Sequence, residues 1–348
     1  MRGLVFVGSR EVDLQIFPDP SPGPKDVVIE MKASGMCGSD LKLYRTPKGE
    51  DPGFGLKLAG PIVGGHEPCG IVVAVGSAVD PRQAKAGDRV MVHHAQGCET
   101  CRNCRGGWPQ MCDNGVEDIY GITTHGSHSD YFRATAANIV KLPDELSFVT
   151  GAALACGTGT AYGALRRLEA TGRDTIAVVG QGPVGLSATM IAASMGVRVI
   201  ALDISPERLS RAKDFGAAFV INPAQEDAPA VIKDLTHGLG TELALDTSGS
   251  PPGRLLAVRS TGAWGRTCFL GEGNEMTVDV SSDLLRKQRT LMGSWSFSVM
   301  GLGDLARMVV EKNLPVESLF TDRWKLEQGN EAYSVFDTQT HGKGVFLM

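Results

Sequence analysis

Four cysteines fall within fifteen residues as Cys98-x2-Cys101-x2-Cys104-x7-Cys112. Thiolates bind zinc through short, directional bonds in a tetrahedron, and two-residue gaps let one loop wrap its sulfurs around a single ion. The same four could pair as two disulfides. The other cysteines are scattered singly, however, and a 348-residue chain builds its core without covalent staples. Four protein ligands leave no position for a substrate, so this zinc is expected to be structural. Chemistry has to come from elsewhere in the chain.

A glycine pattern offers one part of it. Gly180-Gln181-Gly182-Pro183-Val184-Gly185 directly follows the apolar run Thr175-Ile176-Ala177-Val178-Val179 and opens a stretch of helical spacing. In a strand–turn–helix setting the first glycine makes the tight turn and the second lets backbone approach a pyrophosphate. The third packs helix on strand, and the helix N-terminus offers amide donors and a positive dipole end, with Pro183 and Val184 in its first turn. Asp203 closes the next strand, eighteen residues past Gly185, where a carboxylate accepts from both ribose hydroxyls. A 2′-phosphate would meet that negative charge, so the expected cofactor is NAD rather than NADP. Arg208 nearby either softens this preference or stacks beside the adenosine ribose. A ligand-free α/β turn with a surface aspartate is the competing reading.

Three further segments together have the composition of an open metal site: Cys37-Gly38-Ser39-Asp40, Gly64-Gly65-His66-Glu67 and Cys156-Gly157-Thr158-Gly159-Thr160. Two thiolates and one imidazole leave a fourth position for water or a substrate oxygen, as catalytic zinc requires. Taken singly, Cys37 and Cys156 also read as small buried hydrophobes and His66 as a histidine satisfied in a turn. Gaps of about thirty and ninety residues do not select these three by spacing.

The elements that must carry these residues change character along the chain. Up to about residue 150, short β-prone runs such as Val27–Met31, Gly70–Val75 and Arg89–Val92 alternate with Pro/Gly turns. From Thr175 the rhythm becomes strand, helix, strand: Val184–Met195 and Pro206–Phe215 as helices, Val197–Leu202, Ala218–Ile221, Leu243–Leu245 and Thr267–Leu270 as strands. This predicts a parallel doubly wound sheet. Past Ser296, a helix over Asp304–Lys312 and a short terminal strand are expected to return to the first domain. The length favours two domains. A composition of 42% hydrophobic and 21% charged residues with net charge -5 carries no basic stripe for nucleic acid. No run reaches a membrane span, and the opening Met1–Gly8 is too short for a signal-peptide core, so a reduced, cytoplasmic setting is expected.

In this order the Cys37, His66, Cys98–Cys112, Cys156–Gly163 and Gly180–Gly185 motifs resemble the zinc-dependent medium-chain alcohol dehydrogenase family, over essentially the whole chain. The resemblance implies an α/β fold class. A GroES-like β-rich catalytic domain of residues 1–156 and 296–348 would surround a Rossmann NAD-binding domain of residues 157–295, with the active site in the cleft between them. It implies two zinc ions per chain, with Cys37, His66 and Cys156 holding the catalytic one, Glu67 able to approach it, and Asp40 orienting the histidine. Ser39 would take the proton from the alcohol, Thr160 pack on the nicotinamide, Lys343 meet the pyrophosphate, and His94 face the substrate pocket. The residues alone leave His94 equally readable as a strand histidine, and give His93, His125 and His128 only surface or turn roles. Cys69 and Cys268 read as core residues. Gly38 stands where some members carry a phosphate-binding basic residue, and Lys42 where a relay often ends in histidine.

The activity implied is reversible oxidation of an alcohol to a ketone or aldehyde. Gly38 and the run Gly293–Ser298 resemble polyol and threonine dehydrogenases, so a secondary alcohol, polyol or sugar alcohol is expected. Cys156 as third ligand resembles the simple alcohol dehydrogenases, which keeps a primary alcohol or aldehyde as the alternative. A non-catalytic cofactor-binding relative is a third reading, although such a chain would be expected to lose the open metal site. Substrate choice is expected to depend on loops that include residues 46–58. A homo-oligomer, tetramer or dimer, with no nucleic-acid or membrane partner completes the expectation.

Overall fold

Runs of Val, Ile, Leu and Ala that are apolar at every position belong in strands covered on both faces, and six parallel strands take that place here. They are β1 (Thr175–Val179), β2 (Arg198–Leu202), β3 (Phe219–Ile221), β4 (Thr241–Asp246), β5 (Thr261–Phe269) and β6 (Thr290–Gly293). Their spatial order is β3-β2-β1-β4-β5-β6, so the direction of travel reverses beside β1. Helices Pro183–Ser194, Pro206–Asp214, Ala228–Leu235 and Pro251–Ser260 make the crossovers between β1 and β5. Ser205, Asp227 and Ser250 cap three of them, each with a proline in the first turn, where its missing N–H costs nothing. Ala177, Val179, Ile200, Leu202 and Ile221 pack with Ala228, Ile232 and Ala257 in one core. Each large member contributes about 1.5–3 kcal/mol by leaving water.

The computed structural model describes residues 1–51, 61–340 and 342–348. Its chain separates into two compact units, one of Met1–Gly159 with Ser298–Met348 and the other of Thr160–Phe297. The parallel sheet lies in the second. The first is built on a seven-stranded sheet in which Phe320–Trp324, Lys343–Leu347, Asp26–Gly35, Pro68–Val75, Arg89–Val92 and Ile139–Lys141 lie side by side. Tyr131–Thr135 pairs with the front half of Asp26–Gly35, and Lys343–Leu347 with its rear half. The last strand of the chain therefore lies beside the residues that lead into Cys37. Most of the loop at residues 46–58 expected to shape a pocket lies outside the described residues.

The helices near the end of the chain depart from the sequence reading. The one expected over Asp304–Lys312 starts at Val299, capped by the Ser298 hydroxyl on Gly301 N, because the glycines of its first turn hide the helical pattern. A further helix, Gly329–Asp337, stands where the sequence reading placed no element, and buries Ala332, Tyr333 and Phe336. Among the described residues, no helix is long and apolar enough to cross a membrane.

Candidate active site

Strand Asp26–Gly35 ends one turn before Cys37, and Pro68–Val75 begins just after His66-Glu67. Their antiparallel pairing, which brings Ser34 opposite Pro68, closes the distance between the first two motifs. Cys156 arrives from the far side in a π-helical turn, Leu154–Thr158, set between helices Phe148–Ala153 and Gly159–Arg167. Such a widened turn re-aims one side chain and is common at functional sites. The sequence showed only a glycine-flanked cysteine ahead of a helix.

Cys37, His66, Glu67 and Cys156 thus present one ligand atom each within 4.8 Å of one another. The two sulfurs are 3.8 Å apart, nearly twice a disulfide bond. Two thiolates at about 2.3 Å from a tetrahedral zinc would be separated by about that distance, so the donor set fits the ion in chemistry and in span. Ser39 Oγ lies 3.3 Å from Cys37 Sγ and 3.2 Å from His66 Nε2. Asp40, 1% exposed, sets its Oδ1 3.0 Å from His66 Nδ1 and accepts Cys37 N–H on Oδ2 at 2.9 Å. The first contact is too bent for a full hydrogen bond, yet neither atom has another hydrogen-bond partner. A proton held on Nδ1 by the carboxylate leaves Nε2 to a metal.

The charges in this cluster are strongly interdependent. A hydrogen bond from Cys156 and the nearby His66 ring pull the Cys37 thiol well below its ordinary pKa, while the same contact and burial push Cys156 well up. Burial opposes the His66 imidazolium, but Asp40 and the Cys37 sulfur outweigh it and raise its pKa. Holding zinc would require both sulfurs as thiolates and His66 neutral, so ligation would displace the protons that these shifts retain on Cys156 and His66.

Lys343 requires a correction. Expected on the cofactor pyrophosphate, its side chain is 3% exposed and its Nζ donates to Met36 O at 3.0 Å and to Glu67 at 2.6 Å. An ammonium buried and committed in this way is not available to a phosphate. It is needed where it stands, because burial pushes the Glu67 carboxyl up to about 8 even with the Lys343 charge working against it. The phosphate load left by Gly38 therefore does not fall on Lys343.

His94 does join the cluster, its ring edge-on to His66 at 5.4 Å and stacked on His93 at 5.2 Å. Burial, with His93 and His66 alongside, holds it neutral, and Nδ1 lies 3.4 Å from Ala155 O. His125 is exposed, but His93 and His128 are fully buried rather than surface or turn residues. Cys69 and Cys268 are core residues. Burial pushes the His128 pKa down to about 4, so between about pH 6.5 and 4 the unfolded chain binds the extra proton. Stability should therefore fall with pH across that window, by about 2 kcal/mol between pH 7 and 5 from this residue alone. Urea midpoints at the two pH values should diverge more for wild type than for His128→Gln; equal divergence would refute it.

In the four-cysteine lobe the sulfurs of Cys98 and Cys104 are 4.0 Å apart and those of Cys101 and Cys112 3.9 Å. Cys98 Sγ accepts from the Cys101 amide, the Thr100 hydroxyl and the Asn114 amide group. Donors crowded on one sulfur favour thiolate over thiol. All four ligand atoms meet within 4.8 Å, which fits a closed zinc site.

In the other unit, Gly180 turns the chain at φ 91° directly after β1, and a Cβ on Gly185 would strike the Gly180 carbonyl oxygen. Gly182 precedes Pro183 with no side chain capping the helix, which leaves its first amides to a ligand. The residue between the first glycines, which the pattern treats as a spacer, is a lock. Gln181 is fully buried, its side chain tied to Val178 O and Thr189 and its N–H to Asp203 Oδ2 at 2.6 Å. Asp203 Oδ1 accepts Ser205 N–H, and Arg208 Nη1 stands 3.8 Å from Oδ2. Thr160 is the second residue of helix Gly159–Arg167 and is half-buried.

Comparison with known proteins bears on both units. Residues 23–144 match the alcohol dehydrogenase GroES-like domain and residues 183–311 the zinc-binding dehydrogenase domain. The chain belongs to the zinc-binding alcohol dehydrogenase family. It is 40% identical, over 99% of its length and 98% of the relative's, to the uncharacterized zinc-type alcohol dehydrogenase-like protein YphC of Escherichia coli (strain K12). It is 30% identical to the sorbitol dehydrogenase of Bacillus subtilis (strain 168), over 95% of this chain and 92% of that one. Among solved structures, alcohol dehydrogenase TADH from Thermus sp. ATN1 superposes with TM-score 0.90 at 28% identity, covering 100% and 99% of the two chains. As a member of this family the protein is an oxidoreductase that uses zinc and NAD to interconvert an alcohol and a carbonyl compound.

Proposed function

We propose that the chain oxidises a secondary alcohol, polyol or sugar alcohol, with Cys37, His66 and Cys156 holding the catalytic zinc and Cys98, Cys101, Cys104 and Cys112 the structural one. The observation that carries this is the convergence of two sulfurs at 3.8 Å and an imidazole backed by Asp40. Bound zinc supplies Lewis-acid polarisation of the substrate oxygen, and bound NAD takes up the hydride. Ser39 Oγ, at the edge of the ligand cluster, receives the substrate hydroxyl's proton as its own passes on to solvent. Glu67, held by Lys343, is the acid that can approach the metal. Gly180, Gly182, Pro183, Val184 and Gly185 receive the pyrophosphate, Asp203 the ribose hydroxyls, Arg208 the adenosine side, and Thr160 the nicotinamide.

His94 supports the polyol preference. A neutral ring whose Nδ1 faces a carbonyl has Nε2 as its acceptor, suited to a second hydroxyl on the substrate. Relatives named sorbitol dehydrogenase and L-threonine 3-dehydrogenase point the same way. Cys156 as third ligand keeps a primary alcohol as the second reading. Cofactor reduction should be followed with ethanol, benzyl alcohol, butane-2,3-diol, sorbitol and threonine, each with NAD and NADP. Secondary alcohols and polyols are expected to exceed ethanol at least tenfold in kcat/KM. Ethanol or benzyl alcohol in first place selects the second reading, and no turnover in the panel would overturn both.

A cytoplasmic setting and a homo-oligomer, tetramer or dimer, belong to the same proposal. All eight cysteines are unpaired, which suits a reducing compartment. Strand β6 lies at the edge of the parallel sheet, and Trp264, Val280 and Leu285, which flank β5 and β6 in sequence or lie on β5, are more than half exposed, as a face meeting a second copy would be in the free chain.

A further inference from the structure

Asp40 is the near end of a longer buried chain of hydrogen bonds. Tyr333 Oη donates to Asp40 Oδ2 at 3.1 Å, His128 Nε2 lies 2.7 Å from that Oη, and Ser34 Oγ is 2.7 Å from both His128 Nδ1 and Ser127 Oγ. Tyr333, His128, Ser34 and Ser127 are all 0% exposed. Their proton order follows from the first link. A carboxylate only accepts, so the single Tyr333 proton points at Asp40, and Tyr333 must accept from His128 Nε2–H. The neutral His128 ring then accepts on Nδ1 from the Ser34 hydroxyl, and Ser34 from Ser127. Every donor along the line points towards Asp40.

Packing leaves these groups little room to turn. Tyr333 is held edge-on by Phe6 at 4.8 Å, and His128 by Phe346 at 4.7 Å. Gly65, at φ 84°, brings the turn that bears His66 directly over the His128 ring, where a Cβ would collide with Nδ1. Strand Asp26–Gly35, helix Gly329–Asp337 and the 127–128 segment thus meet beneath the ligand histidine.

We propose that Tyr333 and His128 are positioning residues for the metal centre, acting through Asp40 to hold His66 in its ligating orientation, so that the grip on the ion depends on hydrogen bonds well outside the ligand set. The inference rests on the assignment of Cys37, His66 and Cys156 as ligands. Outer partners of this kind typically change metal affinity 10–100-fold.

The test is zinc release from the purified holoenzyme to a chromogenic chelator, with the four-cysteine site as internal reference. Tyr333→Phe and His128→Leu are expected to speed loss of one of the two zinc ions about tenfold and leave the other unchanged. His128→Gln, which can still donate to Tyr333, should release near the wild-type rate. In an Asp40→Asn background Tyr333→Phe should add almost nothing, because the group it acts through is already altered. Unchanged release, equal acceleration at both sites, or full additivity with Asp40→Asn would overturn the proposal. Should Tyr333→Phe fail to fold, the contrast between His128→Leu and His128→Gln is read in the same way. A wild-type chain that binds one zinc overturns the ligand assignment itself; two zinc ions with no effect of the variants overturns this inference alone.

Discussion

Replacing His66 with alanine is expected to lower kcat/KM at least a thousandfold and to reduce the zinc content from two ions per chain to one. Polarising the substrate oxygen is worth several kcal/mol, and each 1.36 kcal/mol is about a factor of ten in rate. Two sulfurs without the imidazole do not complete a site, so the loss is of the ion rather than of one contact. The variant also strands Asp40, a carboxylate 1% exposed whose Oδ1 faces His66 Nδ1 and no other hydrogen-bond partner. Part of the measured loss would then be instability, since a buried charge without its partner costs several kcal/mol. His66→Asn separates the two effects, because its side-chain amide can still face Asp40 while offering zinc a poor ligand. Elemental analysis, thermal melting and kcat/KM on both variants give the answer together. Two zinc ions and retained turnover in His66→Asn would mean that the chemistry lies elsewhere.

How far the site was legible in the sequence depended on how local its contacts are. The four-cysteine loop declares itself because its ligands share fifteen residues, and spacing alone limits the geometry. The cofactor loop was readable for a similar reason: turn, helix start and the preceding strand are contiguous. The open site was different. Strand pairing and a π-helical turn bring Cys37, His66 and Cys156 together, and neither has a signature in residue spacing, so only the family resemblance selected them. Lys343 shows the weakness of such transfer. A basic residue near the C-terminus was assigned by position to phosphate, whereas the pairing of Lys343–Leu347 with Asp26–Gly35 turns it inward to Glu67. Tyr333 was not singled out, and His128 was given only a surface or turn role, because their partners lie 293 and 205 residues away and because a buried tyrosine looks like core. It is core, in the same cluster as Leu41, Leu326 and Phe346, and it also carries one hydroxyl aimed at a carboxylate.

Replacing Asp203 with asparagine is expected to shift the NADP to NAD ratio of kcat/KM upward by roughly a hundred- to a thousandfold. In wild type a 2′-phosphate would have to settle against a carboxylate that is 7% exposed. Two unit charges at about 4 Å repel by about 4 kcal/mol at an effective dielectric of 20, close to three factors of ten. With that charge removed, Arg208, whose Nη1 is 3.8 Å from the carboxylate, becomes the dominant nearby charge and attracts what Asp203 repelled. The substitution has a cost in the loop. Asp203 now accepts both Gln181 N–H and Ser205 N–H, and asparagine has one oxygen for the two amides. An unmet buried donor costs about 1–3 kcal/mol, so activity with NAD should fall and the melting temperature dip. Pairing Asp203→Asn with Arg208→Ala separates the two electrostatic parts: the gain with NADP should shrink by the attraction that Arg208 supplies, while the gain from the lost repulsion and the loss with NAD remain. A cofactor ratio that stays within threefold of wild type in Asp203→Asn would show that the carboxylate does not face the ribose, and the NAD preference would then need another origin.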